Sequence, residues 1–283
     1  MVPRLLPLLL SMLALFAQLP HPTLADVQRR IASYPPDLQA YSLFRFWLTN
    51  QPPQVQTLFE NDTTRPAGLD LYRRQLRMEA VPSAEIERRM QIISKNAEHW
   101  EIEMWNHILT SDSPRINRSP NAFLVAMVQG RKPGRALDVG MGQGRNAVWL
   151  AQQGWRTTGF DPAAKAVARA RETAARAGAK LNAVVAKDSE FDMGDGQWDL
   201  ILLSYVDFRH LADRISRALA PGGIVIAEYF HRDSPGTAGG YADNELAKLF
   251  PILRLLRYED ADAIADFGLD RVRLVRLLAE KRP

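Results

Sequence analysis

The segment from Arg135 to Asn146, RALDVGMGQGRN, constrains the fold of this chain more than any other stretch. A short apolar run over residues 136–139 has the character of a buried strand, and three glycines then occupy alternate positions, at Gly140, Gly142 and Gly144. Apolar residues at helical spacing follow the last glycine. The segment therefore predicts a strand, a glycine turn and a helix, a βα unit in which a ligand can approach the backbone and the free N–H groups of the helix start.

The spacing of the glycines distinguishes between classes of nucleotide site. A dinucleotide site needs G-x-G-x-x-G, whose third glycine lets the helix pack close to the strand, but Arg145 occupies that place here. A P-loop ends in Gly-Lys-Ser or Gly-Lys-Thr, which this turn lacks. An NAD-dependent oxidoreductase with Asp161 on the ribose is therefore a weaker interpretation, and a P-loop protein is weaker still.

Polar residues recur where the later strands are predicted to end. The run over residues 156–160 leads to Asp161, whose carboxylate could accept hydrogen bonds from both hydroxyls of a ribose. The apolar run over residues 183–186 leads to Asp188, and further strand-like runs cover residues 199–203 and 224–229. Helical patterns alternate with these runs, which predicts a parallel sheet covered on both faces.

Taken in order along the chain, these features resemble those of class I S-adenosylmethionine-dependent methyltransferases. The resemblance covers about residues 121–281 and depends on Asp138 before G-x-G-x-G, on Asp161 and on Lys187-Asp188-Ser189. It implies an α/β, Rossmann-like methyltransferase fold, with a seven-stranded, mostly parallel sheet and an antiparallel C-terminal hairpin. It also implies S-adenosylmethionine as the cofactor and requires no metal.

The same resemblance implies a set of cofactor-binding residues. In the family the glycine turn lies under the methionine and ribose, the acidic residue before it helps to hold the amino-acid end, and an acidic residue after the third strand meets the adenine. The corresponding residues here are Asp138, Gly140, Gly142, Gly144, Asn146, Asp161, Asp188, Ser189 and Ser204.

Candidate catalytic residues follow the fourth and fifth strands, where ligands sit in open α/β sheets. Methyl transfer requires a general base only when the acceptor must lose a proton. Glu228 or His231 could act as that base, and Tyr205 could orient the acceptor. The alternative is that Glu228 positions a helix and that the tyrosine is half-buried packing.

The predicted acceptor is a small molecule. Residues 142–151, GQGRNAVWLA, are close to the tellurite-resistance-type branch of small-molecule methyltransferases, a group that also includes thiol-methylating enzymes. The net charge of +4 is mild and no dense block of Lys or Arg occurs, so we predict no nucleic-acid partner. Because the chain has no cysteine, thiol catalysis and zinc–thiolate sites are excluded.

The first 25 residues have the pattern of a secretory signal peptide or a membrane anchor. Arg4 precedes an almost wholly apolar run over residues 5–19, and small residues follow near Ala25. We expect an exported, periplasmic or membrane-anchored protein with membrane association through residues 5–19; an uncleaved anchor or a wrongly chosen start would leave it cytoplasmic. An alternative function follows, a non-catalytic exported or membrane-associated module that retains the methyltransferase fold.

Residues 26–120 predict a helical extension or lid, and residues 121–283 the methyltransferase domain. Within the extension, one amphipathic helix is expected from Ser83 to Leu109, capped by the Ser83 side chain. The aromatic cluster Tyr41, Phe44, Phe46 and Trp47 is expected to pack against the main domain. Trp105 and Asn121 are candidate ligand contacts, or else a core aromatic and a helix cap.

Overall fold

The computed structural model describes residues 23–112, 116–234 and 239–282. Residues 1–22 of the predicted signal peptide or anchor therefore lie outside the described residues. Among the residues described, no helix is both long and apolar enough to span a bilayer. The chain folds into a central sheet covered by helices, preceded by a group of short helices.

The sheet has seven strands in the order β3-β2-β1-β4-β5-β7-β6. The strands are β1 (Arg135–Val139), β2 (Arg156–Asp161), β3 (Leu181–Val185), β4 (Trp198–Ser204), β5 (Leu219–Phe230), β6 (Arg254–Ile264) and β7 (Arg271–Glu280). Strands β1 to β5 pair in parallel, and β7 runs antiparallel to both β5 and β6. The predicted Rossmann-like methyltransferase fold with its C-terminal antiparallel hairpin is confirmed.

Helices cover both faces of this sheet. They are α7 (Ala122–Val128), α8 (Arg145–Gln152), α9 (Ala164–Arg176), α10 (Ala212–Ala218) and α11 (Glu245–Lys248). Successive residues of the central strands point to opposite faces. Ile201 packs with Phe208 in one buried cluster, whereas its neighbour Leu200 packs with Leu150 in another. Residues 200–203 of β4 are therefore apolar and buried without alternation, as expected for a parallel strand covered on both faces.

The helices before the sheet are α1 (Leu24–Ile31), α2 (Pro36–Thr49), α3 (Pro53–Gln56), α4 (Arg65–Met78), α5 (Ser83–Lys95) and α6 (Ala97–Thr110). Helices α2, α4, α5 and α6 share a hydrophobic cluster of their own that includes Tyr41, Phe44 and Tyr72. Trp47 lies against Tyr72 with ring centroids 4.8 Å apart. For Tyr41, Phe44 and Trp47, the expectation of packing against the main domain is therefore wrong, because they belong to the core of the extension. Phe46 lies outside this cluster.

The predicted single helix from Ser83 to Leu109 is also wrong, because it breaks at Asn96. Asn96 has φ −132° and ψ 28°, outside the helical region, and separates α5 from α6. Asparagine favours such positions because its side chain competes with the helical backbone for hydrogen bonds. Ser83 is the first residue of α5 rather than its cap, and the capping position is held by Pro82 without a side-chain hydrogen bond.

Helix α6 brings this extension onto the sheet domain beside the glycine turn. Asn106 Oδ1 accepts a hydrogen bond from the Lys165 backbone N–H at 2.9 Å, close to the start of α9. Glu103 Oε2 lies 3.6 Å from Lys165 Nζ. The first turn of α9 therefore contacts α6.

Candidate active site

The glycine turn after β1 has a backbone that favours glycine. The φ angles of Gly140, Gly142 and Gly144 are +64°, +55° and +79°, in the left-handed region. The carboxylate of Asp161, at the end of β2, holds the turn: Oδ2 accepts from the Gly142 N–H at 2.9 Å and Oδ1 from the Ala163 N–H at 2.8 Å. Burial raises the pKa of Asp161, and these two hydrogen bonds oppose the rise.

A cavity of about 540 Å³ opens above this turn, at the carboxyl ends of the parallel strands. Strands β1 and β4 are neighbours here, and the strand order continues from β1 to β3 on one side and from β4 to β5 on the other. Open α/β sheets bind ligands at such a switch point, outside the carboxyl ends of the strands. The predicted residues on its wall are Gly140, Gly142, Asn146, Asp161, Ser204 and Tyr205. Residues from three strand ends therefore meet in one chamber, as the sequence indicates.

Asp138 and Gly144, both predicted cofactor residues, lie beneath the turn rather than on the cavity wall. Burial raises the pKa of Asp138 to about 7; the nearby Arg145 opposes this rise and Asp161 adds to it. Its Oδ2 is buried and has no hydrogen-bond partner among the residues that the structure describes. A Cβ at Gly144 would lie only 2.7 Å from Ala170 Cβ, so the glycine permits the close approach of α8 to α9.

Asp188 and Ser189, predicted for the adenine end, also lie outside the cavity wall. Asp188 Oδ2 is 2.6 Å from His210 Nε2, and Ser189 is exposed. Next to them, Phe191 stacks on Phe160 with ring centroids 4.3 Å apart and planes 11° apart. Their contact with the cofactor stays a prediction.

Tyr205 is the predicted catalytic candidate that reaches the cavity wall. Its backbone has φ +58°, which is uncommon for a tyrosine and marks local strain at this strand end. Its hydroxyl donates to Glu228 and accepts from the Asp266 N–H at 2.9 Å. Burial, with Glu228 beside it, raises the pKa of Tyr205 well above its usual value. The hydroxyl is therefore engaged in a structural network.

Glu228 and His231, the two predicted bases, do not border the cavity. Glu228 is 1% exposed and also accepts from Asn121 Nδ2 at 2.8 Å and from Arg276 Nε at 2.6 Å. With three donors and no exposed oxygen, Glu228 is placed to join β4, β5, β7 and α7. Its role as a base remains a prediction, and this geometry argues against it.

His231 is also buried, at 2% exposed, in a polar cluster beside β7. Its Nε2 lies 3.0 Å from Asp243 Oδ1, and its Nδ1 accepts from the Asp233 N–H at 3.1 Å. Asp260 completes a trio with the spacing of metal ligands. Arg273, however, donates to Asp243 at 2.8 Å and to Asp260 at 2.6 Å, so the carboxylates already hold a cation.

The outer wall of the cavity comes from residues that the sequence did not single out. Arg45 of α2, Glu101 of α6 and Phe267 of the β6–β7 turn lie on it, with Trp105, which was a candidate contact. Glu101 accepts from the Tyr41 hydroxyl at 2.7 Å and from Trp105 Nε1 at 3.0 Å. A charged residue inside the aromatic run YSLFRFW was the one signal that could have marked Arg45.

A parallel sheet of this order, with a glycine turn after β1 and a carboxylate ending β2 at the switch point, defines the class I methyltransferase fold. Residues 136–223 match the methyltransferase domain family described as "Methyltransferase domain". This match covers about a third of the chain and, with the fold, supports a class I S-adenosylmethionine-dependent methyltransferase.

Similar proteins are consistent with this placement. The chain is 31% identical over 118 residues to ribosomal RNA small subunit methyltransferase C of Alcanivorax borkumensis, a match covering 37% of this chain and 36% of the relative. A S-adenosylmethionine-dependent methyltransferase of Methanosarcina mazei shares the fold with a TM-score of 0.50 and 19% identity, over 57% of this chain and 99% of the other. Phosphoethanolamine N-methyltransferase 2 of Haemonchus contortus does so with a TM-score of 0.50 and 14% identity, over 66% and 59%.

The residues around the turn fit S-adenosylmethionine, the cofactor of this domain. Gly140 and Gly142 form a cradle without side chains, and Asp161 ends β2 beside it. Ser204 Oγ, on the cavity wall, is buried and has no hydrogen-bond partner within the described chain, so a polar ligand atom could satisfy it. Gly140, Gly142, Asn146, Asp161 and Ser204 would hold the cofactor.

Proposed function

We propose that this protein transfers a methyl group from S-adenosylmethionine to a small-molecule acceptor by in-line displacement. The observation that carries the proposal is the continuity of one cavity. It begins at Gly142 and Asp161 and extends past Tyr205 and Tyr229 to α2 and α6. A donor on the glycine turn and an acceptor under the helices would therefore share one chamber.

In this reaction the protein would position the methyl donor and the acceptor, and it would supply no reactive group of its own. When S-adenosylmethionine is bound, an acceptor lone pair takes the methyl group while the carbon–sulfur bond breaks with its electrons to sulfur, leaving S-adenosylhomocysteine. Holding the two reactants at attack distance is worth about 7–11 kcal/mol. Asp161 and the glycine turn would hold the donor, and the walls from α2, α6 and β5 would orient the acceptor and exclude water.

We also propose that residues 26–120 act as the lid of this chamber. Leu109 and Trp105 of α6 border the cavity from the side opposite the strand ends, and Asn106 ties the same helix to α9. A chamber enclosed in this way favours an acceptor that fits inside it.

A small acceptor is the finer part of this proposal. The similarity to a ribosomal RNA methyltransferase covers little more than a third of either chain, so the RNA substrate named for that relative does not transfer. Incubation with ribosomal RNA and labelled S-adenosylmethionine tests the point directly. Label in the RNA would contradict the proposed acceptor class while leaving methyl transfer intact.

For the N-terminal segment, we propose export or membrane anchoring through residues 1–25. Fractionation of cells that express the full chain with a C-terminal fusion tests this location. Recovery of the fusion in the soluble cytoplasm would overturn the proposed export. The non-catalytic alternative gains no support from the proteins that resemble this chain.

The first test is calorimetric titration of the full chain with S-adenosylmethionine and S-adenosylhomocysteine. We expect binding that weakens at least about tenfold in Asp161→Ala, because the carboxylate that fixes Gly142 is lost. Asp192→Ala is the matched control, since Asp192 also accepts a backbone hydrogen bond, from Gly194 at 2.9 Å, but lies on an exposed loop. A folded wild-type chain that binds neither ligand would overturn the proposed function.

A further inference from the structure

Arg45 is a cation on the wall of the chamber, on the side away from the glycine turn. It extends from α2, and its side chain is 28% exposed. Its Nε lies 3.1 Å from Glu101 Oε2 in an ion pair. Among the described residues, Nη1 and Nη2 make no hydrogen bond, so these two nitrogens are available to a ligand.

Glu101 fixes the position of the Arg45 guanidinium through this ion pair. Both of its oxygens are engaged, since Oε1 accepts from Trp105 Nε1 and Oε2 accepts from the Tyr41 hydroxyl. Tyr41 is 4% exposed within the core of the extension, so the arrangement is anchored in packed structure. An arginine oriented in this manner is suited to bidentate recognition of a planar or tetrahedral anion.

Arg45 faces the strand ends where the acceptor is expected. Burial raises the pKa of Tyr229 to about 12; Asp207 adds to this rise and Arg45 opposes it. Tyr229 is near the end of β5 and Asp207 follows β4, and both line the same cavity as Arg45.

The neighbouring acidic groups already have donors. Asp207 pairs with Arg209 at 3.1 Å, Asp161 accepts from two backbone N–H groups, and Glu101 has the partners described above. Glu60 lies at the exposed rim. A cationic acceptor would therefore find its carboxylates occupied, whereas an anionic one would find an arginine fork.

Aromatic rings also line the cavity that contains Arg45. Phe267 lies against Trp105 with ring centroids 5.9 Å apart and against Tyr205 at 5.6 Å. A continuous surface of three rings suits a planar apolar body. Resting on the proposed methyl transfer, we infer that the acceptor is a planar or apolar molecule carrying a carboxylate or phosphate, and that Arg45 binds that anionic group.

The test uses the full chain saturated with S-adenosylhomocysteine and four naphthalene probes that differ in one group. They are 2-naphthoate, 2-naphthyl phosphate, 2-naphthamide and 2-naphthylmethylamine, with binding followed by ligand-observed NMR and calorimetry. We expect one or both anions to bind about tenfold or more tighter than the amide, the effect of a hydrogen-bonded charge pair. Which anion binds better distinguishes a carboxylate from a phosphate acceptor.

Three variants locate the effect. Arg45→Gln should abolish the preference for the anion, and Arg45→Lys should keep part of it because the charge stays and the fork is lost. Arg77→Gln, at an exposed arginine of α4, should leave the preference unchanged. Each variant must still bind S-adenosylhomocysteine like the wild type, which shows that the fold is intact.

Equal binding of the anions and the amide, a preference for the amine, no binding of any probe, or a preference that survives in Arg45→Gln would each overturn the inference. These outcomes are distinct from failure of the proposed function, which is absence of S-adenosylhomocysteine binding by the wild type.

Discussion

Leu109 of the N-terminal extension lies directly over Gly142 of the glycine turn. A Cβ built on Gly142 would sit 3.2 Å from Leu109 Cδ1. The glycine turn proposed to hold the cofactor therefore lies close against α6. Any side chain at position 142 would have to displace one or the other.

Gly142→Ala should weaken binding of S-adenosylhomocysteine by more than about tenfold. Alanine would have to adopt the left-handed backbone of Gly142, with φ +55°, and its Cβ would lie close to Leu109. Relief of either strain would move the backbone N–H that donates to Asp161. Gly178→Ala is the control, because Gly178 has a similar φ of +62° but nothing within 4 Å of its added Cβ. Calorimetry on both variants measures the effect, and equal affinities would contradict the role assigned to the turn.

Asn106→Ala should loosen the lid. Asn106 is 3% exposed and accepts the Lys165 N–H in a partly buried hydrogen bond, so its removal should cost about 1 kcal/mol. We expect faster amide exchange along α6 and weaker binding of S-adenosylhomocysteine. Asn96→Ala, at the exposed break between α5 and α6, should change neither quantity. Unchanged exchange in Asn106→Ala would show that other contacts hold the helix.

Glu228→Gln should destabilise the fold more than it alters the chemistry. The variant takes one charge from a buried ion pair with Arg276, a loss of about 3 kcal/mol. Glu259 binds the same arginine at 3.2 Å but is 25% exposed, so Glu259→Gln should cost less than about 1 kcal/mol. Urea unfolding compares the two. A Glu228→Gln protein of normal stability and cofactor affinity that had lost turnover would instead support the role of a base.

Asp138→Asn should remove a pH dependence of stability. The pKa of this buried carboxyl is raised to about 7 from an ordinary value of 3.8, chiefly by burial. The folded state therefore retains a proton that the unfolded chain releases, so the stabilisation is complete below about pH 4 and is lost as pH rises through about 7. Relative to the variant, the wild type should lose at most about 1.4 kcal/mol per pH unit in that window. A difference in unfolding free energy that stays constant with pH would exclude this titration.

The sheet and the turn could be predicted because their signals are local. The run before Gly140, the glycine spacing and the acidic residue ending β2 each depend on neighbours in sequence, and β1 and β2 begin and end within one residue of the predicted runs. Strand β5 begins earlier than its predicted run, at Leu219. The break at Asn96 could not be predicted, since the apolar periodicity of Ile86–Ile93 continues into α6 after a single non-helical residue.

The outer half of the site could not be predicted either. Arg45 and Phe267 reach the cavity through packing between segments far apart in the chain, which no local pattern encodes. Glu228 shows the opposite error: its place after a strand suggested chemistry, but three donors from other elements make it part of the framework.

The cavity wall includes Phe267, which is close to the end of the chain, and Asp266 accepts the Ala122 N–H across 144 positions of sequence. The ribosome releases these two residues only after every parallel strand has been made. A nascent chain in which all five parallel strands have emerged therefore still lacks this part of the cavity wall. The wall is complete only after the turn between β6 and β7 has been made.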